Sequence, residues 1–315
     1  MKTIFIISGG PGKEHEVSIS SGKNIIENLN AEGIASESII VTKDKKWVYN
    51  NQEMSEDEGL KLLQEYNALI FQIIHGTYGE DGELVSLFEQ HSLSYIGSNA
   101  ASLKLTIDKY KTEELLAKNA ILTPSSYIMT KVEDEFISQI PFPVILKPVT
   151  EGSSVALYKV SSQEQLKNIL SETIPVYGKM LAQDYISGRE FTCGVVELDG
   201  EVTALPPTEV ILTRGEIFDY EAKYTVDGCK EITPADIDAT KTKKIKELAK
   251  RVHTLCDCKD ISRTDMIMKA NGELVVLEIN TVPGMTKTSF IPAQLMASGY
   301  DVVAFLKGMV KKYEK

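Results

Sequence analysis

Along the first hundred residues, short apolar runs alternate with longer stretches whose apolar positions recur at helical spacing. Thr3 to Ser8, Ser38 to Val41 and Ala68 to Ile74 are predicted strands, and roughly Val17 to Leu29, Glu56 to Tyr66 and Leu84 to His91 are predicted helices. Such alternation predicts a parallel α/β layer. The segments SGGPGKEHEVS and HGTYGEDGE follow the carboxyl ends of the first and third strands, where open α/β sheets hold their ligands.

The pattern changes after Asp108. A helical stretch, KYKTEELLAKNA, leads through Pro124 to a predicted strand pair, PVILKP and SSVALYKV, joined by the turn TEGSS, which reads as a small α+β layer. After about Asp184 come the strands FTCGVVEL and EVTALPP, a polar loop TRGEIFDYEAKYTVDG, a helix near Asp238 to Cys256, another strand pair and two closing helices. In the last helix Val302, Leu306, Met309, Val310 and Tyr313 share one side, the stripe of a helix packed on a core.

The late strand pair carries the clearest chemistry. In RTDMIMKANGELVVLEINT, Asn271 and Gly272 separate two apolar runs as a two-residue type I′ turn would. That register sets Asp265 opposite Glu278, Arg263 opposite Asn280, Met266 opposite Leu277 and Met268 opposite Val275. Two carboxylates so placed repel by about 3 to 4 kcal/mol at an effective dielectric near 20, and a cation between them removes the repulsion. With Asn280 the donor set is all oxygen, which suits magnesium or manganese better than zinc. Arg263 stands beside it to meet developing negative charge. The alternatives are a solvated acidic face, or Arg263 neutralising both acids in a structural ion pair.

Composition narrows the field. At 315 residues with 43% apolar and 25% charged side chains, the chain supports two or three globular domains and is no coiled coil, collagen or disordered chain. A net charge of −11 has the wrong sign for gripping nucleic acid or anionic lipid, so neither is an expected partner. With no long apolar stretch and no signal-like start, a cytoplasmic location is expected. Cys193, Cys229, Cys256 and Cys258 lack the spacing of a disulfide framework or a zinc site and read as reduced residues.

Neither G-x-x-x-x-G-K-[ST] nor G-x-G-x-x-G occurs, which disfavours Walker NTPases and Rossmann dehydrogenases. The turn Thr150 to Ser154 would still let backbone N–H groups approach a triphosphate, although any tight hairpin fits the same sequence. Lys147, ending the strand PVILK, either neutralises phosphate or snorkels. His75 is either a hydrogen-bonding site residue or a satisfied strand end.

Taken in order, HEVS at 15 to 18, HGTYGEDG at 75 to 82, KPVTEGSSV at 147 to 155, GREFTCGV at 188 to 195, FDYEAKY at 218 to 224 and LEINTVPGMTKTS at 277 to 289 resemble the D-alanine:D-alanine ligase family. The likeness runs from the first strand to at least Tyr300. It implies a three-domain ATP-grasp fold, α/β and α+β, with an N-terminal parallel α/β substrate domain (1–97), a central ATP-grasp subdomain (98–182), and a C-terminal subdomain with metal site and lid loop (183–315). It also implies ATP-dependent ligation of two D-alanines for peptidoglycan through a D-alanyl phosphate, two Mg2+ ions (Mn2+ as a substitute), and a homodimer.

By the same resemblance, Asp265, Glu278 and Asn280 are metal ligands, and Arg263 with the amide of Gly284 stabilises the oxyanion. Glu16 holds the first substrate's ammonium within a Ser153 and Tyr224 network, and FDYEAKY closes over the site. His75 lies near the first substrate's carboxylate, and Ser289 and Phe290 contact the second substrate. ATP is held by Lys109, Lys147, Glu190, Lys223 and the strand Gln183, Asp184, Tyr185 and Ile186, with Glu190 on the ribose. Gln183 departs from the family's more usual glutamate but keeps a carbonyl for the adenine amine. Tyr224 favours an amine acceptor over D-lactate. A ligase using D-serine, D-lactate or another amino acid is the near alternative, and a non-catalytic nucleotide-binding regulator the more distant one.

Overall fold

The structure, a computed structural model, describes residues 2–152, 155–198, 200–213 and 228–314. The described residues form three sheets. The first contains β1 (Ile4–Gly9), β2 (Ser36–Val41), β3 (Trp47–Tyr49), β4 (Gln52–Met54), β5 (Leu69–Gln72) and β6 (Ser94–Ile96) in the order β4-β3-β2-β1-β5-β6. β1 runs parallel to β2 and β5, and β5 to β6, as the alternating pattern predicted. Every residue of β1 and β5 is buried, and both strands are mainly apolar, as strands covered on both faces are. The predicted helices are His15–Ala31, Glu56–Glu65 and Glu83–Gln90. The second opens on a capping box, Ser55 with Glu58, that satisfies two free N–H groups.

The β3–β4 hairpin was not predicted, because three-residue strands carry too little periodicity to register. It matters nonetheless. Trp47 is fully buried, and its Nε1 donates to the Tyr78 hydroxyl at 3.2 Å, linking the sheet edge to the loop HGTYGEDG.

The second sheet, in the order β7-β10-β8-β9, joins β7 (Ser126–Met129), β8 (Val144–Pro148), β9 (Tyr158–Val160) and β10 (Met180–Asp184). The pair β8–β9 is antiparallel as expected. The connection is longer than the sequence implied, because β8 ends at Pro148 and β9 begins only at Tyr158. Ser153 and Ser154 lie outside the described residues.

The third sheet contains β11 (Arg189–Leu198), β12 (Glu201–Ala204), β13 (Thr208–Leu212), β14 (Cys229–Ile232), β15 (Ile261–Met268) and β16 (Leu274–Asn280), with β11 between β13 and β15 and β12 paired to β11. Strands β13 and β14, which flank the polar loop, were also missed; β14 (CKEI) is mostly polar, whereas β13 (TEVIL) carries a short apolar run. Most of that loop, including Lys223 and Tyr224, lies outside the described residues.

The β15–β16 hairpin pairs Arg263 with Asn280 and Asp265 with Glu278, as the sequence predicted. The reason given for that register needs correcting. Nearer the turn Met266 faces Val276 and Met268 faces Leu274, not Leu277 and Val275. Lys269 and Glu273 close a three-residue loop, Ala270 to Gly272, with Gly272 at φ +84°. That is a type I turn ending in a left-handed residue rather than a two-residue type I′ turn. A bulge between Asp265 and Met266 then adds one residue to β16 and restores the predicted partners.

The closing helices, Phe290–Ala297 and Val302–Tyr313, turn back onto the first layer. Ile291, Leu295, Val302, Phe305, Leu306, Met309 and Val310 are buried in the same apolar cluster as Ile4 to Ile7 and Leu69 to Phe71, with Tyr313 packed at its edge. The four cysteines are free. Among the described residues no helix is long and apolar enough to cross a membrane.

Candidate active site

A cleft of about 670 Å³ opens where the three sheets meet. The first layer contributes Glu14, Val17, His75 and Glu80, the second Lys147 and Gln183, and the third Glu190, Arg263, Asp265, Glu278 and Asn280.

The acidic pair faces this cleft. Because β15 and β16 pair in register there, Asp265 and Glu278 stand side by side. The bulge sends two successive residues, Leu277 and Glu278, to the cleft side, while Val276 and Ile279 stay in the core behind. Arg263 grips Asp265 through two hydrogen bonds, Nε to Oδ1 at 2.9 Å and NH2 to Oδ2 at 2.8 Å, and Thr192 donates to Oδ1 at 2.5 Å. Thr192 escaped the sequence reading because its position opposite Asp265 depends on β11 lying beside β15. Burial works against the Arg263 charge, but Asp265, with its two hydrogen bonds, and Glu278 raise its affinity for the proton above the ordinary value.

Two lysines line the opposite wall. Lys109 is the first residue of the helix Lys109–Lys118, and its Nζ lies 4.0 Å from Glu278 Oε2 and donates to the carbonyl of Glu151. Lys147, on β8, is 8% exposed, and burial lowers its pKa against the pull of Glu278. The buried end of Lys147 within a polar cleft removes the snorkelling alternative.

Burial, then Asp265 and Glu278, pushes the neighbouring Glu190 carboxyl up to about 8. Among the described residues no cluster of three or more His, Cys, Asp or Glu side chains forms a metal cage. A divalent ion here would draw on Asp265, Glu278 and the amide of Asn280, whose Oδ1 also accepts from the Val282 N–H at 2.9 Å. These are hard oxygen donors with lone pairs beyond their present bonds, and they fit magnesium.

The remaining predicted positions divide. Gln183, Asp184, Tyr185 and Ile186 line the cleft along the end of β10 and its continuation, and Gly284, Ser289 and Phe290 line it from the loop after β16. A side chain at Gly284 would bring its Cβ within 2.9 Å of the Ser289 hydroxyl, so the backbone there is closely approached. His75 is 5% exposed, with Nδ1 3.9 Å from Glu80 Oε1. Glu80, not singled out in the sequence, also accepts from the Gly76 N–H at 3.0 Å. Glu16 is exposed on the first turn of its helix and is not among the side chains lining the cleft, whereas Glu14 and Val17 are. Ser153, Lys223 and Tyr224 lie outside the described residues.

Comparison with known proteins decides the family. Residues 3–68 match the model for the D-ala D-ala ligase N-terminus and residues 116–311 that for the D-ala D-ala ligase C-terminus. The chain belongs to the D-alanine–D-alanine ligase family. It is 33% identical to a D-alanine–D-alanine ligase of Leptospira interrogans, across 99% of this chain and 98% of that one. It is 34% identical to one of Fervidobacterium nodosum, across 98% and 97%. Among solved structures, the VanG D-Ala:D-Ser ligase from Enterococcus faecalis superposes with a TM-score of 0.84 at 28% identity over 99% of both chains. The D-alanine–D-alanine ligase from Coxiella burnetii gives 0.82 at 25% identity, over 98% of this chain and 92% of that one.

Proposed function

We propose that this protein joins two D-alanine molecules to D-alanyl-D-alanine at the expense of ATP, through a D-alanyl phosphate. The observation that carries the reading is the opposed pair Asp265 and Glu278, with Arg263 bound to Asp265, facing Lys109 and Lys147 across one cleft, in a chain of this family.

The nucleotide base lies along Gln183 to Ile186, Glu190 takes the ribose hydroxyls, and Lys109 and Lys147 face the phosphates. Asp265, Glu278 and Asn280 would hold two magnesium ions, for which manganese could substitute. When bound, these ions screen the triphosphate so that an anionic carboxylate can approach it. His75 orients the first D-alanine, whose carboxylate takes the γ-phosphoryl group from ATP as ADP leaves, and Glu16, which does not line the cleft in this structure, is kept for the ammonium on the strength of its motif alone. The amine of the second D-alanine, placed by Ser289 and Phe290, then attacks the acyl carbon, and the tetrahedral intermediate collapses with cleavage of the C–O bond to phosphate and loss of a proton from the amine. Arg263 and the Gly284 amide stabilise the oxyanion that appears only at that stage. Ser153, Lys223 and Tyr224 complete the set on the strength of the sequence motifs.

The protein works as a homodimer in the cytoplasm and supplies peptidoglycan synthesis. Its three domains are 1–97, 98–182 and 183–315.

The test is to incubate the purified protein with ATP, magnesium and D-alanine and to measure phosphate release and product mass. One phosphate per D-alanyl-D-alanine is expected. Absence of any dipeptide sinks the reading, and turnover only when D-serine or D-lactate is added gives the acceptor role to those molecules.

A further inference from the structure

Behind the strand assigned to the base stands a buried contact that no motif revealed. Gln183, on β10, is 2% exposed and borders the cleft. Its amide nitrogen donates to Glu113 Oε1 and, at 3.4 Å, to Ser126 Oγ. Ser126, the partner of Gln183 on β7, donates its hydroxyl to Glu113 Oε2. Glu113 lies on the helix Lys109–Lys118, is 6% exposed, and does not itself line the cleft.

A carboxylate oxygen only accepts hydrogen bonds, so the amide nitrogen of Gln183 must face Glu113. The carbonyl oxygen is then the end available to the cleft. Burial pushes the Glu113 carboxyl up to about 7, against the Ser126 hydrogen bond and the charges of Lys147 and Lys109. A proton on Oε2 would be compatible with the same arrangement, because the Ser126 hydroxyl has a second acceptor in the carbonyl of Pro124, 3.4 Å away, and Oε1 would still accept from the Gln183 amide.

We propose that Glu113 is a positioning residue for nucleobase choice: by fixing the Gln183 amide it presents a lone acceptor to the base. An acceptor favours adenine, whose six-position amine donates, over guanine or hypoxanthine, whose six-position oxygen also accepts. The inference rests on the cleft being the nucleotide site.

The test compares kcat/KM for ATP, GTP and ITP in the wild type, E113Q, Q183E and the double variant E113Q/Q183E, with thermal unfolding of each. E113Q keeps the shape but offers either end of its own amide, so Gln183 is free to turn, and the ATP-to-ITP ratio is expected to fall about tenfold. Q183E sets a second carboxylate against Glu113, which must either repel it or take up a proton, and raises KM for ATP by about tenfold. The double variant restores a donor at position 113 and recovers most of that loss. An unchanged ATP-to-ITP ratio in E113Q, an equal loss for all three nucleotides, or a double variant no better than Q183E overturns the role of Glu113. Wild-type turnover indifferent to ATP overturns the reading of the cleft itself, a separate result visible before any variant is made.

Discussion

At the scale of single residues, the site is organised by charge that has nowhere else to go. Arg263 is committed to Asp265 by two hydrogen bonds, which leaves Glu278 facing the cleft with a third of its side chain exposed and Lys109 4.0 Å away. Glu278→Gln removes one charge without disturbing the core, since Val276 and Ile279 carry the packing of that strand. The variant is expected to unfold at the wild-type temperature and to lose roughly 10²-fold or more in kcat, a loss of the size seen when one transition-state charge partner is removed. Phosphate release measured across a magnesium titration checks it. Normal turnover would remove Glu278 from the metal set.

At the scale of elements, the β15–β16 hairpin shows how a correct pairing can follow from an incorrect turn. The sequence showed Asn271 and Gly272 between apolar runs, and a two-residue loop was the direct reading. The chain instead uses a three-residue loop and returns to the predicted register through the bulge at Leu277. These two single-residue shifts cancel beyond Asp265, which is why the acidic pair was legible while the Met266 and Met268 partners were not. Without Leu277, simple alternation would still place Glu278 and Asn280 toward the cleft and Val276 and Ile279 toward the core. Deletion of Leu277 is therefore expected to keep the fold and the magnesium dependence while removing an apolar wall of the cleft, raising KM for ATP by roughly tenfold, the worth of one apolar contact in a pocket. Loss of magnesium dependence in that deletion would show that the bulge, not the ladder, positions Glu278.

At the scale of the whole molecule, a charged knot ties the closing helix to the sheets. Asp260, with no exposed side-chain surface, accepts from Tyr313 at 2.6 Å and from the Gly97 N–H at 2.7 Å, and pairs with Lys312 at 2.5 Å. Glu197 joins it: His253, with Nε2 3.6 Å away, and Lys312, at 2.6 Å, hold its carboxyl down at about 2 despite partial burial. A carboxyl held below its unfolded value stabilises the fold fully above about pH 4.3 and loses that contribution as pH falls toward 2. The contribution is on the order of 2 to 3 kcal/mol. Denaturant unfolding followed from pH 6 to pH 2.5 should show this loss, and Glu197→Gln should flatten the curve over that interval. An identical slope in the variant would assign the acid sensitivity elsewhere.

What the sequence determined by itself was local or near in the chain. The apolar runs gave the parallel first layer, the spacing around Asn271 brought Asp265 to Glu278, and the ordered motifs gave the family. Tertiary structure alone decided which distant strands became neighbours. Thr192 meets Asp265 because β11 lies against β15, Glu113 meets Gln183 because the helix Lys109–Lys118 comes up to β10, and the last helix packs on both the first layer and β11. Hydrophobic periodicity specifies which face of an element is buried but carries no label for the partner that buries it, and contacts across seventy or more residues depend on that missing choice.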